Sequence, residues 1–238
     1  MENAIYATLT RQSGLMAEMR VVANNIANAN TTGFRREGVI FAEHLSALDR
    51  NGDTLSMANA RGRLVDLDQG VLTQTGGNYD LAIEGDGFFL IETPDGNRLT
   101  RAGVFLPSAE GELMTADGFR LLDEGMAPII VPAGASGVAV GADGTLSANG
   151  VAFGRIGVFA APENGQLTYQ SGTSFTTDAA PQPVNDARIR QGFLEESNVD
   201  SVFEITRMIE VQRAYELGQS FLDREDQRIR SAITGMTR

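Results

Sequence analysis

The chain has no cysteine, so a disulfide framework and a thiolate metal site are both excluded. It has a single histidine, His44, which reads as an ordinary surface side chain and not as part of a triad or a metal cluster. Positive charge is short: 19 Lys and Arg stand against 31 Asp and Glu, a net −12 at pH 7. That balance argues against a nucleic-acid partner, because such binders carry a basic face. No run approaches the ~18 apolar residues of a membrane span. The opening MENAIYATLTRQSG lacks a basic segment followed by an apolar core, so it is not a standard secretory signal. The expectation is a protein that stays in the cytoplasm or leaves by a route that reads no such signal.

Catalytic signatures are missing too. There is no G-x-S-x-G, no Walker loop and no G-x-G-x-x-G. Residues 84–87 (EGDG) read as a tight turn, since two carboxylates would repel phosphate. Residues 66–70 (DLDQG) begin like a calcium loop, but Gln69-Gly70 breaks the ligand pattern. Asn30-Thr31-Thr32 matches an N-glycosylation sequon by chance. Glu195-Glu196 and Asp223/Asp226 read as solvated helix faces. The reading is therefore no enzyme, no cofactor and no metal.

Proline is absent from both ends: all seven lie between Pro94 and Pro183. Long uninterrupted helices are permitted on either side. Near the N-terminus, Ile5, Leu9, Gln12, Met16, Met19, Ala23 and Ile26 recur at alternating steps of four and three. This is a heptad seam on a helix of about 25 residues. Gly33 is the expected helix stop. Near the C-terminus, Met208, Tyr215, Leu222, Ile229 and Met236 are seven apart, with Ile205, Gln212, Gln219, Asp226 and Ile233 as companions. Polar residues in such a seam weaken it but fix register and partner. Ser197-Asn198 or Asp200-Ser201 supplies the cap, and residues 202–234 read as one helix.

The middle differs. Asp95-Gly96, Asp117-Gly118, Asp143-Gly144 and Asn164-Gly165 are turn dipeptides between short apolar runs such as residues 88–91 (FFLI). The fold class predicted is α+β. N- and C-terminal helices form a coiled-coil-like pair, an extended connector follows the first, and the middle domain is all-β. The segments are an N-terminal assembly helix over 1–34, a connector over 35–70, an outer β-domain over 71–190 and a C-terminal assembly helix over 191–238. A short helix is possible at Phe41–Leu48. The end helices gain little alone, so they are expected to order by association, first with each other and then with neighbouring copies.

The stretch ANNIANANTTGFR (23–35) puts Asn24, Asn25, Asn28 and Asn30 among small apolar residues. Asn is a poor helix interior residue, because its amide competes for backbone hydrogen bonds. Amides that face neighbouring subunits would fix which neighbour fits and at what stagger, so Asn24, Asn25 and Asn28 join the seam residues as the candidate assembly interface.

These residues carry a resemblance. ANNIANANTTGFR resembles the N-terminal signature of the bacterial flagellar axial proteins of rod and hook. Residues 80–90 (DLAIEGDGFFL) and 99–105 (LTRAGVF) resemble the segment opening their β-domain. Residues 192–200 (GFLEESNVD) and 208–216 (MIEVQRAYE) resemble their C-terminal signature. These blocks, in family order, span most of the chain. Within the flagellar basal-body rod family, the opening MENAIY and the length are most like proximal rod proteins of the F type; distal rod proteins are close sisters. The C-terminal GMTR (235–238) departs from the family in being polar and small. The resemblance implies a structural subunit of the rod crossing the periplasm, exported through the flagellar type III apparatus. Its implied partners are copies of itself and other rod proteins. The alternatives are a distal rod or other axial protein, or a β-domain binding module on a helical dimerisation stalk.

Overall fold

A computed structural model describes residues 2–47, 54–160, 167–184 and 186–236. They fall into two compact units. The first comprises residues up to Ala27, then Arg36–Asp66, then Val199 onward; the second comprises Asn28–Arg35 and Leu67–Asn198. The chain thus passes between them four times.

The first unit holds helix α1 (Glu2–Ala27), strands β1 (Glu37–Ala47) and β2 (Thr54–Val65), and helix α2 (Ser201–Met236). Both helices run through proline-free sequence, as expected. Asp200 caps α2: its Oδ1 accepts from the N–H groups of Val202 at 2.9 Å and Phe203 at 3.0 Å. These are donors with no partner inside the helix. The helices are antiparallel, for Asn25 reaches Glu204 while Gln12 reaches Tyr215 and Gln219.

The connector is extended but folds back on itself. β1 and β2 pair antiparallel, Glu37 opposite Val65 and Ala47 opposite Thr54, with a register shift between Ile40 and Phe41. The short helix expected at Phe41–Leu48 is corrected: Phe41–Ala47 is strand, and Leu48 lies outside the described residues. Ala, Glu and Leu favour helix locally, but a twelve-residue partner strand satisfies the same backbone groups, and pairing overrides propensity.

The second unit is the β-domain. It begins with β3 (Leu72–Gln74), β4 (Leu81–Glu84), β5 (Phe88–Thr93) and β6 (Gly96–Thr100). β5 and β6 form the hairpin that Asp95-Gly96 announces, and they lie within a nine-stranded antiparallel sheet among the described residues. Segment Phe193–Glu195 pairs with β3, and Arg188–Gln191 pairs with β4. Phe88 to Ile91 are all buried because β5 is covered on both faces. On one face Phe89 meets Phe105 edge-on at 5.5 Å within the main core. On the other Phe88 meets Phe175, then Tyr169, then Phe34, in a row of edge-on rings 5.5–6.0 Å apart.

Phe34 is wholly buried there, so residues 28–35 belong to the β-domain rather than to the helix. This corrects the helix stop. α1 ends at Ala27, six residues before Gly33. Gly33 does adopt a left-handed φ of 71°, but for another reason. A Cβ there would sit 2.2 Å from the Ala102 backbone nitrogen, so only glycine lets the two backbone segments touch.

Candidate assembly site

The Asn-rich stretch resolves first. Asn25 is fully buried at the end of α1. Its Nδ2 donates to the Glu37 carbonyl at 2.9 Å and to Glu204 Oε2 at 3.2 Å, while its Oδ1 accepts from the Glu37 N–H at 3.0 Å. The Asp66 N–H bonds the Arg36 carbonyl at 2.8 Å, which makes Glu37 and Val65 a non-hydrogen-bonded pair. The main-chain groups of Glu37 therefore face away from β2, and the Asn25 amide closes them as a third strand would. Asn24 Nδ2 lies 3.4 Å from Glu37 Oε2. Asn28 Oδ1 accepts from the Thr31 hydroxyl at 3.2 Å. The expectation that Asn25 faces a neighbouring subunit is thus corrected: it joins α1, β1 and α2 of its own chain.

Charge completes this node. Glu204 and Glu37 are 0% and 1% exposed. Arg36 Nε contacts Glu204 Oε1 at 2.6 Å and its guanidinium lies 5.3 Å from the centre of the Phe203 ring. Arg63 reaches Glu37 Oε2 at 3.5 Å. Further along the pair, Arg207 Nε donates to the buried Glu18 at 2.7 Å. Buried ion pairs of this kind contribute little net stability over an apolar pair, but losing one partner is costly. Their effect is to fix the register of α1 on α2.

A second charged cluster lies inside the β-domain. Glu195 accepts from Arg35 at 2.8 Å and from Arg101 at 3.0 Å, with all three side chains at most 3% exposed. Arg101 also donates to the Gly85 carbonyl at 2.6 Å, and burial lowers its pKa despite the attraction of Glu195. Glu195 further accepts from the Gly70 N–H at 3.0 Å, and the Asp68 carbonyl accepts from Arg35 and from Asn198 Nδ2. The segment that begins like a calcium loop is therefore a fastening strap. Glu195 is no solvated helix residue: it lies in a strand, and its carboxylate holds residues 28–35 in the domain. Arg35 and Arg36 both pair with carboxylates of their own chain. Nothing in one sequence marks Glu37, Arg101, Glu195 or Glu204 as buried; a charge beside apolar strand residues is the only signal present.

The seam residues divide. Met208, Tyr215 and Leu222 are half-buried, and their companions toward α1 are Glu204, Val211 and Gly218. Ile205, Gln212 and Gln219 stand one position later and are exposed. On α1, Gln12 is buried, Ile5, Met19 and Ile26 are half-buried, and Leu9, Met16 and Ala23 are exposed. The inner contact runs through Gln12, Leu15, Glu18, Val22 and Asn25. Leu9, Met16, Ile205, Ile229 and Ile233 are left 40–58% exposed.

His44 falls on β1, and its side chain is outside the described set. Among the described residues, no His, Cys, Asp and Glu cluster is placed to hold a metal ion, and no helix is long and apolar enough to cross a membrane.

Comparison with known proteins assigns these features to a family. A family model described as "flagella basal body rod protein" matches residues 5–35, which hold most of α1 and the segment 28–35 that follows it. One described as "flagellar hook protein FlgE/F/G D1 domain" matches residues 82–148, and one described as "flagellar basal body rod FlgEFG protein C-terminal" matches residues 190–234. The chain is 42% identical to the flagellar basal-body rod protein FlgF of Caulobacter vibrioides, with 98% of this chain and 97% of that protein aligned. It is 37% identical to FlgF of Mesorhizobium japonicum over 91% of this chain and 90% of that one. It is 31% identical to the rod protein FlgG of Bacillus subtilis over 98% of each. With both terminal signatures, the β-domain and nearly the full length matched, this chain belongs to the flagellar basal-body rod protein family, as a rod protein of the F type.

Proposed function

We propose that this protein is a structural subunit of the flagellar basal-body rod, in its proximal part, joined to its neighbours through the outer faces of α1 and α2. The observation that carries this reading is the apolar surface that the helix pair leaves uncovered, Leu9 and Met16 on α1 with Ile205, Ile229 and Ile233 on α2. Head-to-tail contacts that do not close on themselves build helical filaments, and a driveshaft is one. The rod's inner wall is then made of both helices. The protein has no catalytic role. Its partners are copies of itself, other rod proteins and the type III export apparatus that carries it into the periplasm. A distal position is the second reading, favoured by the 29–32% identity to several G-type proteins.

The test is replacement of the native subunit by Met16→Asp in a motile strain. Met16 is 40% exposed, so the change spares the fold while placing a charge in the interface. The expected outcome is a soluble, folded protein absent from purified basal bodies and a non-motile cell. Normal incorporation and swimming would refute the interface.

A further inference from the structure

The seam that α2 presents to α1 does not stop where its burial stops. Met208, Val211, Tyr215, Gly218 and Leu222 follow steps of three and four, and each is buried or half-buried. The same phase continues as Ile229 and Met236, with Ile233 beside them, and these three are 44%, 88% and 58% exposed. They stand four and three residues apart, so they form one apolar ridge on one helix face. A ridge in heptad phase is shaped to lie against helices.

The same pair of helices also carries a seat. A groove of about 270 Å³ opens between α1 and α2, lined by Thr8, Gln12, Leu15, Leu217, Gly218 and Phe221 among others. Leu217 is 70% exposed and Phe221 38%. Gly218 opens the groove floor: a Cβ there would come within 3.1 Å of the Gln12 side chain. The ridge cannot fill the groove of its own molecule, because both lie on one rigid helix, with Phe221 and Ile229 eight residues apart.

We propose that the Ile229–Ile233–Met236 ridge of one copy seats in the α1–α2 groove of a second copy. The contact is heterologous, ridge to groove, so each copy keeps one free ridge and one free groove and the chain of contacts stays open. The seam continues across the junction: α1, which covers Met208 to Leu222 within one molecule, is replaced, for the ridge, by the helices of its neighbour. This inference rests on the rod-subunit reading and names the surfaces that reading leaves open.

The native chain has no cysteine, so Leu217→Cys and Ile233→Cys each introduce a single thiol. The two variants, differently tagged, are expressed together in a strain lacking the native protein, basal bodies are isolated, and disulfides are formed by mild oxidation. The expected result is a mixed 217–233 dimer at least ten times as abundant as that from Leu217→Cys with Gln227→Cys, since Gln227 lies on the opposite face of α2. Rods that contain both variants without that dimer would overturn the ridge-and-groove contact and leave the rod assignment standing. Absence of the wild-type protein from purified rods would overturn both. Ile233→Asp supplies an independent reading: loss of incorporation by tenfold or more, with helical circular dichroism unchanged, supports the contact, and undiminished incorporation refutes it.

Discussion

Replacing Asn25 by alanine tests the node on which the helical unit is built. The amide serves both main-chain groups of Glu37 and one oxygen of Glu204. Asn25 and Glu37 are 0% and 1% exposed, so water does not readily replace it. Each buried polar group left without a partner costs about 1–3 kcal/mol. Two groups of Glu37 are orphaned, while Glu204 keeps its 2.6 Å contact with Arg36. Allowing for partial relaxation, the expected loss is about 2–4 kcal/mol. The Glu37 N–H is itself the reporter, because it donates to Asn25. At about 1.4 kcal/mol per factor of ten, its hydrogen exchange should quicken by roughly 30-fold or more. Asn25→Asp should be at least as damaging near neutral pH, since it keeps the acceptor, removes the donor and sets a charge against Glu204. Asn28→Ala is the control, for its side-chain oxygen accepts from the Thr31 hydroxyl within the other compact unit. Exchange at Glu37 quickened by less than about threefold relative to the control, or a loss below about 1 kcal/mol, would show that the amide does not hold the node.

Two further outcomes are expected in the β-domain. Glu195→Gln leaves Arg35 and Arg101 buried with their shared counter-charge gone; the cost should be about 3–5 kcal/mol, read as a lower urea midpoint with unchanged slope, and an unchanged midpoint would contradict it. Gly33→Ala forces a side chain into a φ of 71° against the Ala102 backbone. The strained dihedral alone costs about 1–3 kcal/mol, so thermal unfolding should fall by several degrees, and an unshifted transition would mean the close approach is not required.

Much of the architecture is legible in one sequence because it depends on local order. The confinement of proline to residues 94–183 permits the two long helices, and their heptad spacing says that each needs a partner. Asp95-Gly96 marks the β5–β6 hairpin because a tight turn has few chemical solutions. Asp200 was one of two caps the spacing allowed. Other features were not legible. The face that α1 and α2 share within one chain runs through Glu18, Val22, Asn25, Glu204 and Val211, one residue off the most apolar stripe. Periodicity ranks faces by hydrophobicity and does not count a buried amide or ion pair as a reason to turn inward. The strand at Phe41–Ala47 was hidden because its partner, Thr54–Val65, reads as polar and mixed.

The sequence by itself thus determined the helices, the β-rich middle and, through its signature blocks, the family, because period, turn chemistry and motif are properties of neighbours along the chain. Only the tertiary structure decided where the charges go. Arg35, Arg101 and Glu195 are 66 to 160 positions apart, and Asn25 and Glu204 are 179 apart. A charged or amide side chain has no intrinsic preference for a buried site; it is admitted there by the particular donors and acceptors that folding brings to it, and these are not written beside it in the chain.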